Sequence, residues 1–274
     1  MDITYRSPDA LAPVQALTWR LLAGQSAAYG AAWGNFGREL IRNDFARLYL
    51  LESGHISIQT AADTFQLTPG HLWLIPGGIA ARYCCATTMH LNWVHFNVFA
   101  IPELDLLAGG APRAMPADAA SVSRFHAMLE AATTSQPMAL ATALAILGGL
   151  VAPFFPAEWG DLLPDARALH RLRPALDHIT SRFATDCSVG ALARAVHLHP
   201  VYFSRLFKAT LGIPPAQYVT AIRMRHAATR LGTTPLPVKA IAIECGYPDP
   251  YHFSRAFKRH TGVAPQVYRH AHTR

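Results

Sequence analysis

The residues of this sequence whose types suit chemistry occur twice, at matching positions near the C-terminal end. The run Phe-Ser-Arg-x-Phe-Lys stands at 203–208 and again at 253–258, and each run is followed by glycine four residues later. Arginine can donate two parallel hydrogen bonds to guanine, serine can bond a base edge or a phosphate, and lysine supplies a point charge for phosphate. The duplicated set therefore has the chemistry of a surface that contacts double-stranded DNA.

The repetition extends beyond these runs. Pro215 recurs 50 residues later as Pro265. Upstream, the pair Leu192-Ala193 matches Ile241-Ala242 at a shift of 49 residues, so the second copy has one extra residue before its Phe-Ser-Arg. A period of this length indicates two copies of one supersecondary unit.

Each copy predicts two short helices joined by a tight turn. In the first copy, Ser188 caps one helix, and Pro200 opens another that ends before Gly212. In the second copy, Gly246 supplies the turn and Asp249-Pro250 begin the second helix. Two helices joined in this way form a helix-turn-helix, whose second helix can enter the major groove. The two units are expected at about 188–212 and 237–262.

Helical geometry separates the residues that pack from those that face outward. Phe203 and Phe207 are four residues apart and share one face, so they are expected in the core, as are their second-copy counterparts. The arginines on the opposite face can alternatively be merely solvated, which the recurrence of serine and lysine beside them disfavours. The candidate DNA contacts are Val201, Ser204, Arg205, Lys208, Tyr251, Ser254, Arg255 and Lys258.

The distribution of charge supports a polyanionic partner for the C-terminal part alone. Residues 166–274 hold 16 of the 24 Lys and Arg but only 4 of the 17 Asp and Glu. Their net charge is therefore +12, whereas residues 1–165 carry −5. A basic domain attached to an acidic one favours nucleic acid as the partner, followed by an anionic membrane surface.

Residues 166–274 resemble the DNA-binding domain of the AraC/XylS family of bacterial transcription regulators. The resemblance rests on three segments: LAx(9)FSRLFKx(3)GIPPxQY from 192, RMRHAATRL from 223, and IAx(2)CGYx(5)FSRAFKx(3)GVAPxxYR from 241. It implies that one long helix, about Pro215 to Leu231, holds two recognition helices roughly one DNA turn apart. These would enter successive major grooves, with base contacts by Val201, Ser204, Arg205, Tyr251, Ser254 and Arg255.

The sequence departs from the family pattern at the first turn and at the caps. His197 stands where glycine is usual, and His199 and Pro248 stand where a serine cap is common. Histidine tolerates the left-handed conformation better than most residues, so the turn is expected to form. Val201 replaces a larger polar residue and suggests an apolar contact with a thymine methyl group.

The N-terminal part predicts strands followed by helices. Between 46 and 99, short apolar runs alternate with Gly and Pro turns about every 10 residues, which is typical of a small antiparallel barrel or sandwich. Helical periodicity follows at Val122–Ala132 and Met138–Phe154 and suits a dimerisation surface or a lid. The fold class is expected to be α+β with two domains, the second being an all-α double helix-turn-helix. The expected bounds are 1–157 (β-barrel about 40–100, helices about 115–156), a linker at 158–165, and 166–274.

The β-region is similar to the cupin-like sensor domain that many AraC-type regulators carry. The supporting text is LTPGHLWLIPGG from 67 and WVHF from 93, and it implies a small-molecule effector, such as a sugar, inside the barrel. Strand alternation places Trp93 and His95 on one face and Val94 on the other. Aromatic rings and hydrogen-bond donors suit a polyol, although a barrel tryptophan is as often plain core. The expected pocket residues are Trp73, Arg82, Trp93 and His95.

Two other classes of protein remain open. Cupin-type barrels include metal oxygenases, but the histidines here lack the usual ligand pattern, so no metal, cofactor or enzymatic activity is expected. A DNA-binding protein without effector control would use its acidic part only for dimerisation.

The compartment and partners follow from weaker signals. The first residues lack a secretory signal pattern, and the four cysteines form no C-x-x-C pair, which fits reduced thiols in a cytoplasm. Residues 131–157 lack charge, but their prolines, glycines and polar residues favour a buried or partner-facing helix over a membrane span. The chain is expected to be a homodimeric activator in the cytoplasm, associated with the nucleoid when it is bound to DNA. Its expected partners are an operator duplex, a small-molecule effector and RNA polymerase, and no membrane is expected.

Overall fold

The computed structural model of the chain describes residues 17–31, 33–34, 40–101, 104–155 and 166–272. Two compact units divide these residues, one within Leu17–Phe99 and Asp105–Glu158 and the other within Trp159–Arg274. The linker expected at 158–165 lies outside the described residues. The chain thus has the predicted α+β fold class, with strands in the N-terminal unit and helices in the C-terminal one.

The N-terminal unit contains two antiparallel sheets. The larger sheet has the strand order β1-β8-β3-β6-β10, with β9 paired to β8, and the smaller sheet has the order β2-β7-β4-β5. The strands are β1 (Thr18–Tyr29), β2 (Ile41–Arg42), β3 (Ala46–Ser53), β4 (Ile56–Thr60), β5 (Thr64–Leu67), β6 (His71–Ile75), β7 (Ala80–Cys85), β8 (Met89–Ile101), β9 (Leu104–Asp105) and β10 (Arg113–Pro116).

The central strands of the larger sheet are buried on both faces. Leu48 and Val94 belong to a core that the helices cover, whereas Tyr49 and Leu91 belong to a second core shared with the smaller sheet. This division follows from the alternation of side chains along a strand. The two sheets therefore face one another, and the predicted alternation along β8 is confirmed.

The structure differs from the sequence prediction in the extent and closure of the β-region. Among the described residues, no hydrogen-bonded ladder joins the two sheets into a closed barrel. Strand β1 lies before the expected start of the β-region, and β10 lies after its expected end. Most residues of β1 are exposed, so it lacks the regular apolar alternation by which a half-buried strand is recognised.

Two helices cover the outer face of the larger sheet. Helix α1 (Ala119–Ala132) is capped by Asp118, whose side chain accepts a hydrogen bond from Ser121 N at 2.7 Å. Helix α2 (Pro137–Val151) follows, and Leu147 and Phe125 of the two helices share one core. Both helices were predicted, within a few residues, from their periodicity.

The segment Pro137–Phe154 is long and apolar enough to cross a membrane by length and composition, and 28% of it is buried. Ala143, Leu147 and Leu150 lie in the core against the sheet. The opposite face is open, with Met138 78% exposed. Of the expected buried or partner-facing helix, the structure therefore shows one face buried and the other exposed.

The C-terminal unit is helical throughout its described elements. The helices are α3 (Ala166–Arg182), α4 (Val189–Ala195), α5 (Pro200–Leu211), α6 (Pro215–Thr233), α7 (Val238–Glu244), α8 (Pro250–Thr261) and α9 (Pro265–His272). We name α5 and α8 the first and second recognition helices and α6 the connecting helix. The sequence analysis did not identify α3, which precedes the repeat.

The two copies of the repeat have equivalent cores. Phe203, Phe207 and Tyr218 form a chain of rings with centroid distances of 5.5 and 5.4 Å. The equivalent rings of the second copy are Phe253, Phe257 and Tyr268, at 5.7 and 5.3 Å. All four phenylalanines are fully buried, which confirms that they pack rather than contact a partner.

Candidate nucleic-acid interface

The two helix-turn-helix turns have the same hydrogen bonds, although one uses histidine where the other uses glycine. Leu198 N donates to Ala193 O at 2.9 Å, and Tyr247 N donates to Ala242 O at the same distance. His197 has a φ of 55°, and Gly246, 49 positions later, has a φ of 77°. The expectation that histidine would adopt the left-handed conformation is therefore confirmed.

Gly246 is constrained more tightly than His197. A Cβ atom placed on Gly246 would lie 2.5 Å from the carbonyl oxygen of Ala184, which is too close for any side chain. The second turn therefore requires glycine for space as well as for its backbone conformation, whereas the first turn has room for an imidazole.

Different side chains cap the two recognition helices. His199 Nδ1 accepts a hydrogen bond from Val201 N at 3.4 Å. Asp249 accepts from Tyr251 N at 2.9 Å and from His252 N at 3.2 Å. The family-typical serine cap is thus replaced by histidine in the first copy and by Asp249, rather than Pro248, in the second. Each cap binds N–H groups that an open helix terminus would leave without partners.

The outward faces of the recognition helices have the same pattern of exposure. From 201 to 210 and from 251 to 260, each pair of equivalent residues falls in the same class of buried, half-buried or exposed. Val201 is 56% exposed and Tyr251 is 83% exposed. Six of the eight predicted contacts are exposed and two are half-buried: Val201, Arg205, Lys208, Tyr251, Arg255 and Lys258 in the first group, Ser204 and Ser254 in the second.

The two serines are engaged by their own helices. Ser204 Oγ donates to Pro200 O at 2.9 Å, and Ser254 Oγ donates to Pro250 O at 2.8 Å. In this arrangement the hydroxyl hydrogen is used, and only the lone pairs of the oxygen remain free to accept. The serines can therefore accept a hydrogen bond from a base amino group, whereas Arg205 and Arg255 can donate.

Arg171 is a neighbour of the first recognition helix that the sequence analysis missed. Its guanidinium carbon lies 5.3 Å from the ring centroid of Tyr202, and its Nη1 donates to the Tyr202 hydroxyl at 3.4 Å. Arg171 lies on α3, outside the repeat, so the comparison of the two copies gave no signal for it. The contact adds a positive charge beside the exposed face of the helix.

Arg223 of the connecting helix joins the second copy to the segment that precedes the first. Its Nε donates to Phe183 O at 2.7 Å and its Nη2 donates to Thr185 O at 3.0 Å, both on the chain that precedes the first copy. Its Nη1 reaches Gly246 O of the second turn at 3.5 Å. The sequence places Arg223 in the connecting segment but gives no sign of this positioning role, because all three acceptors are backbone carbonyls.

The structure brings together three of the four effector-pocket candidates of the N-terminal unit and places the fourth elsewhere. Trp73 and Trp93 adjoin the core between the two sheets, and the ring centroid of His95 lies 4.4 Å from that of Trp93. Arg82 alternates with the buried residues Ala81 and Tyr83, so it lies on the outer face of the smaller sheet. There its Nε donates to Gln59 Oε1 at 3.1 Å. Three of the four candidates are therefore brought together.

The cysteines are free thiols. Burial raises the pKa of Cys245 to about 11, and it also raises the pKa of Cys187. Both thiols accordingly stay protonated near neutral pH, in keeping with packing rather than redox chemistry. Within the described part of the chain, no group of three or more His, Cys, Asp or Glu residues is arranged to hold a metal ion.

The sequence of the chain is similar to a known domain family and to known regulatory proteins. Residues 192–271 match a family of helix-turn-helix domains. The chain is 23% identical over 213 residues to the raffinose operon transcriptional regulatory protein RafR of Pediococcus pentosaceus, covering 74% of this chain and 76% of that protein. It is 32% identical over 101 residues to the arabinose operon regulatory protein of Escherichia coli (strain K12), covering 36% of this chain and 35% of that protein.

A solved structure resembles most of the chain. The crystal structure of ToxT from Vibrio cholerae O395 covers 94% of this chain and 99% of its own, with a TM-score of 0.55 and 9% identity. At this identity the likeness concerns the fold alone. The sequence relatives, the matched domain and the duplicated geometry agree, and the C-terminal part of the chain is a helix-turn-helix domain of the AraC/XylS family of transcription regulators.

Proposed function

We propose that the chain is a sequence-specific DNA-binding transcription regulator whose N-terminal unit responds to a small molecule. The observation that carries the proposal is the repeated outward face of the recognition helices, which presents Arg205 and Arg255 at equivalent exposed positions. A protein that needed only a positive surface would have no reason to hold the same side chains twice in the same local geometry.

Each recognition helix contacts bases with some of its side chains and phosphates with others. Arg205 and Arg255 donate paired hydrogen bonds to guanine, and Val201 and Tyr251 lie at the start of each helix, where apolar or ring contacts meet base edges. Ser204 and Ser254 accept from base amino groups. Lys208 and Lys258, one turn further along, contact phosphate and contribute affinity without sequence preference.

Control by an effector is supported by the sugar-operon relatives and by the N-terminal unit. RafR is named for a raffinose operon and the E. coli relative for an arabinose operon. Trp73, Trp93 and His95 provide an aromatic lining between the sheets. An effector that binds one arrangement of the chain a few kcal/mol more tightly than another would shift the population toward it.

The open face of α2 supports the proposal of a homodimer. Met138 is 78% exposed on this face, Ala141 and Ala145 beside it are exposed as well, and exposed apolar patches mark contact sites. The regulator would work in the cytoplasm as an activator and would engage RNA polymerase as well as its operator.

Selection of genomic fragments by the full-length chain tests the proposal. Bound duplexes are recovered, sequenced and then footprinted at several salt concentrations. We expect one enriched motif, protected over two successive major grooves, with affinity that falls steeply as salt rises. A double variant, Arg205→Ala with Arg255→Ala, should bind DNA without enriching the motif. If the parent chain prefers no duplex over random DNA, the proposed function is wrong.

A further inference from the structure

A buried arginine lies between the two sheets of the N-terminal unit. Arg47 is 5% exposed and is the second residue of β3, between Ala46 and Leu48, which belong to the core under the helices. Side chains alternate along a strand, so Arg47 points toward the smaller sheet. Its guanidinium carbon lies 4.8 Å from the ring centroid of Tyr83 on β7 and 4.6 Å from that of Phe45.

The two rings beside Arg47 contact its guanidinium but carry no negative charge. Cation–π contacts engage the faces of the planar group, whereas its N–H donors lie in the plane. Across the described residues, no carboxylate lies within ion-pair distance of Arg47: the ion pairs involve Glu52, Asp177 and Glu244 with other partners. A buried charge without a counter-charge is costly. A planar, bidentate donor of this kind is the group that proteins use to bind carboxylates.

Two further polar groups border the same core. Trp73 Nε1 is buried and has no hydrogen-bond partner within the described part of the chain. The Tyr83 hydroxyl is buried beside Arg47. Burial raises the pKa of Tyr83, and the charge and a side-chain hydrogen bond of Arg47 oppose that shift without cancelling it, so the phenol stays protonated and its O–H can donate. Buried donors without partners are rare in folded proteins. The Trp73 N–H and the Tyr83 O–H are therefore available to donate to an acceptor between the sheets.

The sheet register brings these groups together. Arg47 is paired with His95 of β8 and Ile75 of β6. The next inward-facing rung consists of Tyr49, paired with Trp93 and Trp73. Side chains on adjacent rungs of one face lie within reach of a single small molecule. The two rungs therefore form one surface with a cation at one end and tryptophan rings at the other.

The tryptophan end of this inner surface is partly exposed, whereas Arg47 and Tyr83 are each only 5% exposed. Trp73, Trp93 and His95 are only half-buried, although they point between the sheets. Their neighbours on the same strands that point toward the helices, Leu74 and Val94, are at most 1% exposed. The face between the sheets is thus more open to solvent than the face under the helices, as a ligand site requires.

We propose that the effector of this regulator is a small organic acid, bound between the sheets with its carboxylate on Arg47. Its ring or hydroxyl groups lie against Trp73 and Trp93 and accept from the indole of Trp73 and the phenol of Tyr83. The proposal rests on the proposed function, in which the N-terminal unit binds an effector, and it replaces a neutral polyol with an anion. Arg82, on the outer face of the smaller sheet, takes no part.

Paired acids and neutral analogues test the proposal on the full-length chain. The probes are galacturonate against galactose and benzoate against benzyl alcohol. All five tryptophans lie in residues 1–165, so their fluorescence reports binding to the N-terminal half. We expect at least one acid to bind and its neutral partner to bind about 10- to 100-fold more weakly, the effect of one charge-assisted hydrogen-bonded contact.

The variants separate a binding role from a structural one. Arg47→Met should lower the affinity for the acid by about 10- to 100-fold, while its melting temperature stays equal or rises, because an apolar side chain replaces a buried charge. Arg47→Lys keeps the charge but loses the planar fork and should be intermediate. Arg82→Gln, the matched control on the opposite face of the smaller sheet, should bind the acid like the parent.

Three results would overturn the proposal: no acid binds, a neutral analogue binds as tightly as its acid, or Arg47→Met binds the acid unchanged. The selection of DNA fragments is measured separately, without ligand. A chain that selects a motif but binds no acid refutes only the organic-acid proposal. A chain that selects no duplex refutes the proposed regulator, whatever it binds between its sheets.

Discussion

At the level of single residues, we propose different roles for the two arginines and the two lysines of the recognition helices. Arg205 and Arg255 are exposed at equivalent positions, and the neighbouring serines already donate to their own helix. The arginines are therefore the strongest donors available for base edges, whereas a lysine has no fixed donor geometry and serves as a point charge.

Replacement of either arginine should reduce sequence preference. We expect Arg205→Ala or Arg255→Ala to cost about 1–3 kcal/mol on the selected duplex and to relax the preference at one base. Lys208→Ala is the control and should weaken binding to all duplexes about equally. Fluorescence anisotropy with duplexes that carry single base changes measures both effects. An Arg205→Ala variant that discriminates as well as the parent would contradict the base-contact role.

Glu52 is a residue whose ionisation should set part of the acid sensitivity of the N-terminal unit. Its Oε1 accepts from Asn92 Nδ2 at 2.8 Å and lies 2.8 Å from His126 Nε2, and its Oε2 lies 3.6 Å from His90 Nε2. Partial burial raises the pKa of Glu52. The hydrogen bonds of Asn92 and His126 and the charges of the two histidines together lower it by more than burial raises it. The net pKa is below its ordinary value.

The sign of this shift predicts a stabilisation that is lost in acid. Because folding lowers the pKa, the Glu52 carboxylate contributes fully above its ordinary pKa, and the contribution disappears as the pH falls through the folded value. Glu52→Gln should therefore cost stability at neutral pH, by less than about 1 kcal/mol since the side chain is 37% exposed, and nothing in strong acid. Urea unfolding followed by tryptophan fluorescence at both pH values measures the difference. Glu130→Gln, an exposed carboxylate on α1, is the control, and an equal cost of Glu52→Gln at both pH values would contradict this assignment.

At the level of elements, regular patterns could be predicted from the sequence and isolated ones could not. The repeat located both recognition helices, because capping residues and closing glycines recur with the core phenylalanines. Helix α3 and strand β1 were missed, since neither belongs to the repeat and β1 is mostly exposed. The alternation along β8 placed Trp93 and His95 on the inner face, but the phase of β7 was not evident, so Arg82 was grouped with them.

Removing glycine from the second turn should destabilise the protein, whereas introducing glycine into the first turn should not. Gly246→Ala places a Cβ atom 2.5 Å from Ala184 O at a φ of 77°, so we expect a loss of about 2–4 kcal/mol. His197→Gly relieves a non-glycine residue at a φ of 55° and should be neutral or stabilise by up to about 1 kcal/mol, because glycine also gains freedom in the unfolded chain.

Circular dichroism at the helical band measures both turn variants, since residues 166–274 contain no tryptophan. DNA binding checks that the folded variants keep their interface. Equal destabilisation by His197→Gly and Gly246→Ala would show that the imidazole of His197 makes a contact of its own, and the equivalence of the two turns would then be wrong.

At the level of the whole molecule, charge and geometry assign separate tasks to the two parts of the chain. The C-terminal part carries +12 and the N-terminal part −5, so long-range attraction to DNA acts on the helix-turn-helix domain. Within that domain the connecting helix contains 19 residues, which corresponds to about 28 Å at about 1.5 Å per residue. That length is comparable to one turn of B-DNA, about 34 Å.

A rigid connection of this length predicts a fixed spacing between the two halves of the operator. Insertion of about 5 base pairs between the bases contacted by the two recognition helices turns one half-site to the opposite side of the duplex. Only one helix can then contact bases, so we expect the affinity to fall by about 3 kcal/mol or more, toward that of non-specific DNA.

Insertion of about 10 base pairs distinguishes a rigid connection from a flexible one. The second half-site returns to the same side of the duplex but lies a further turn of about 34 Å away. The connecting helix cannot lengthen, and Arg223 ties the second turn to the segment that precedes the first copy through backbone carbonyls, so we expect no recovery of affinity. Gel shifts on the parent and the two lengthened duplexes measure the series. Full affinity on the duplex lengthened by about half a turn would show that the two helices do not bind one face of the DNA together.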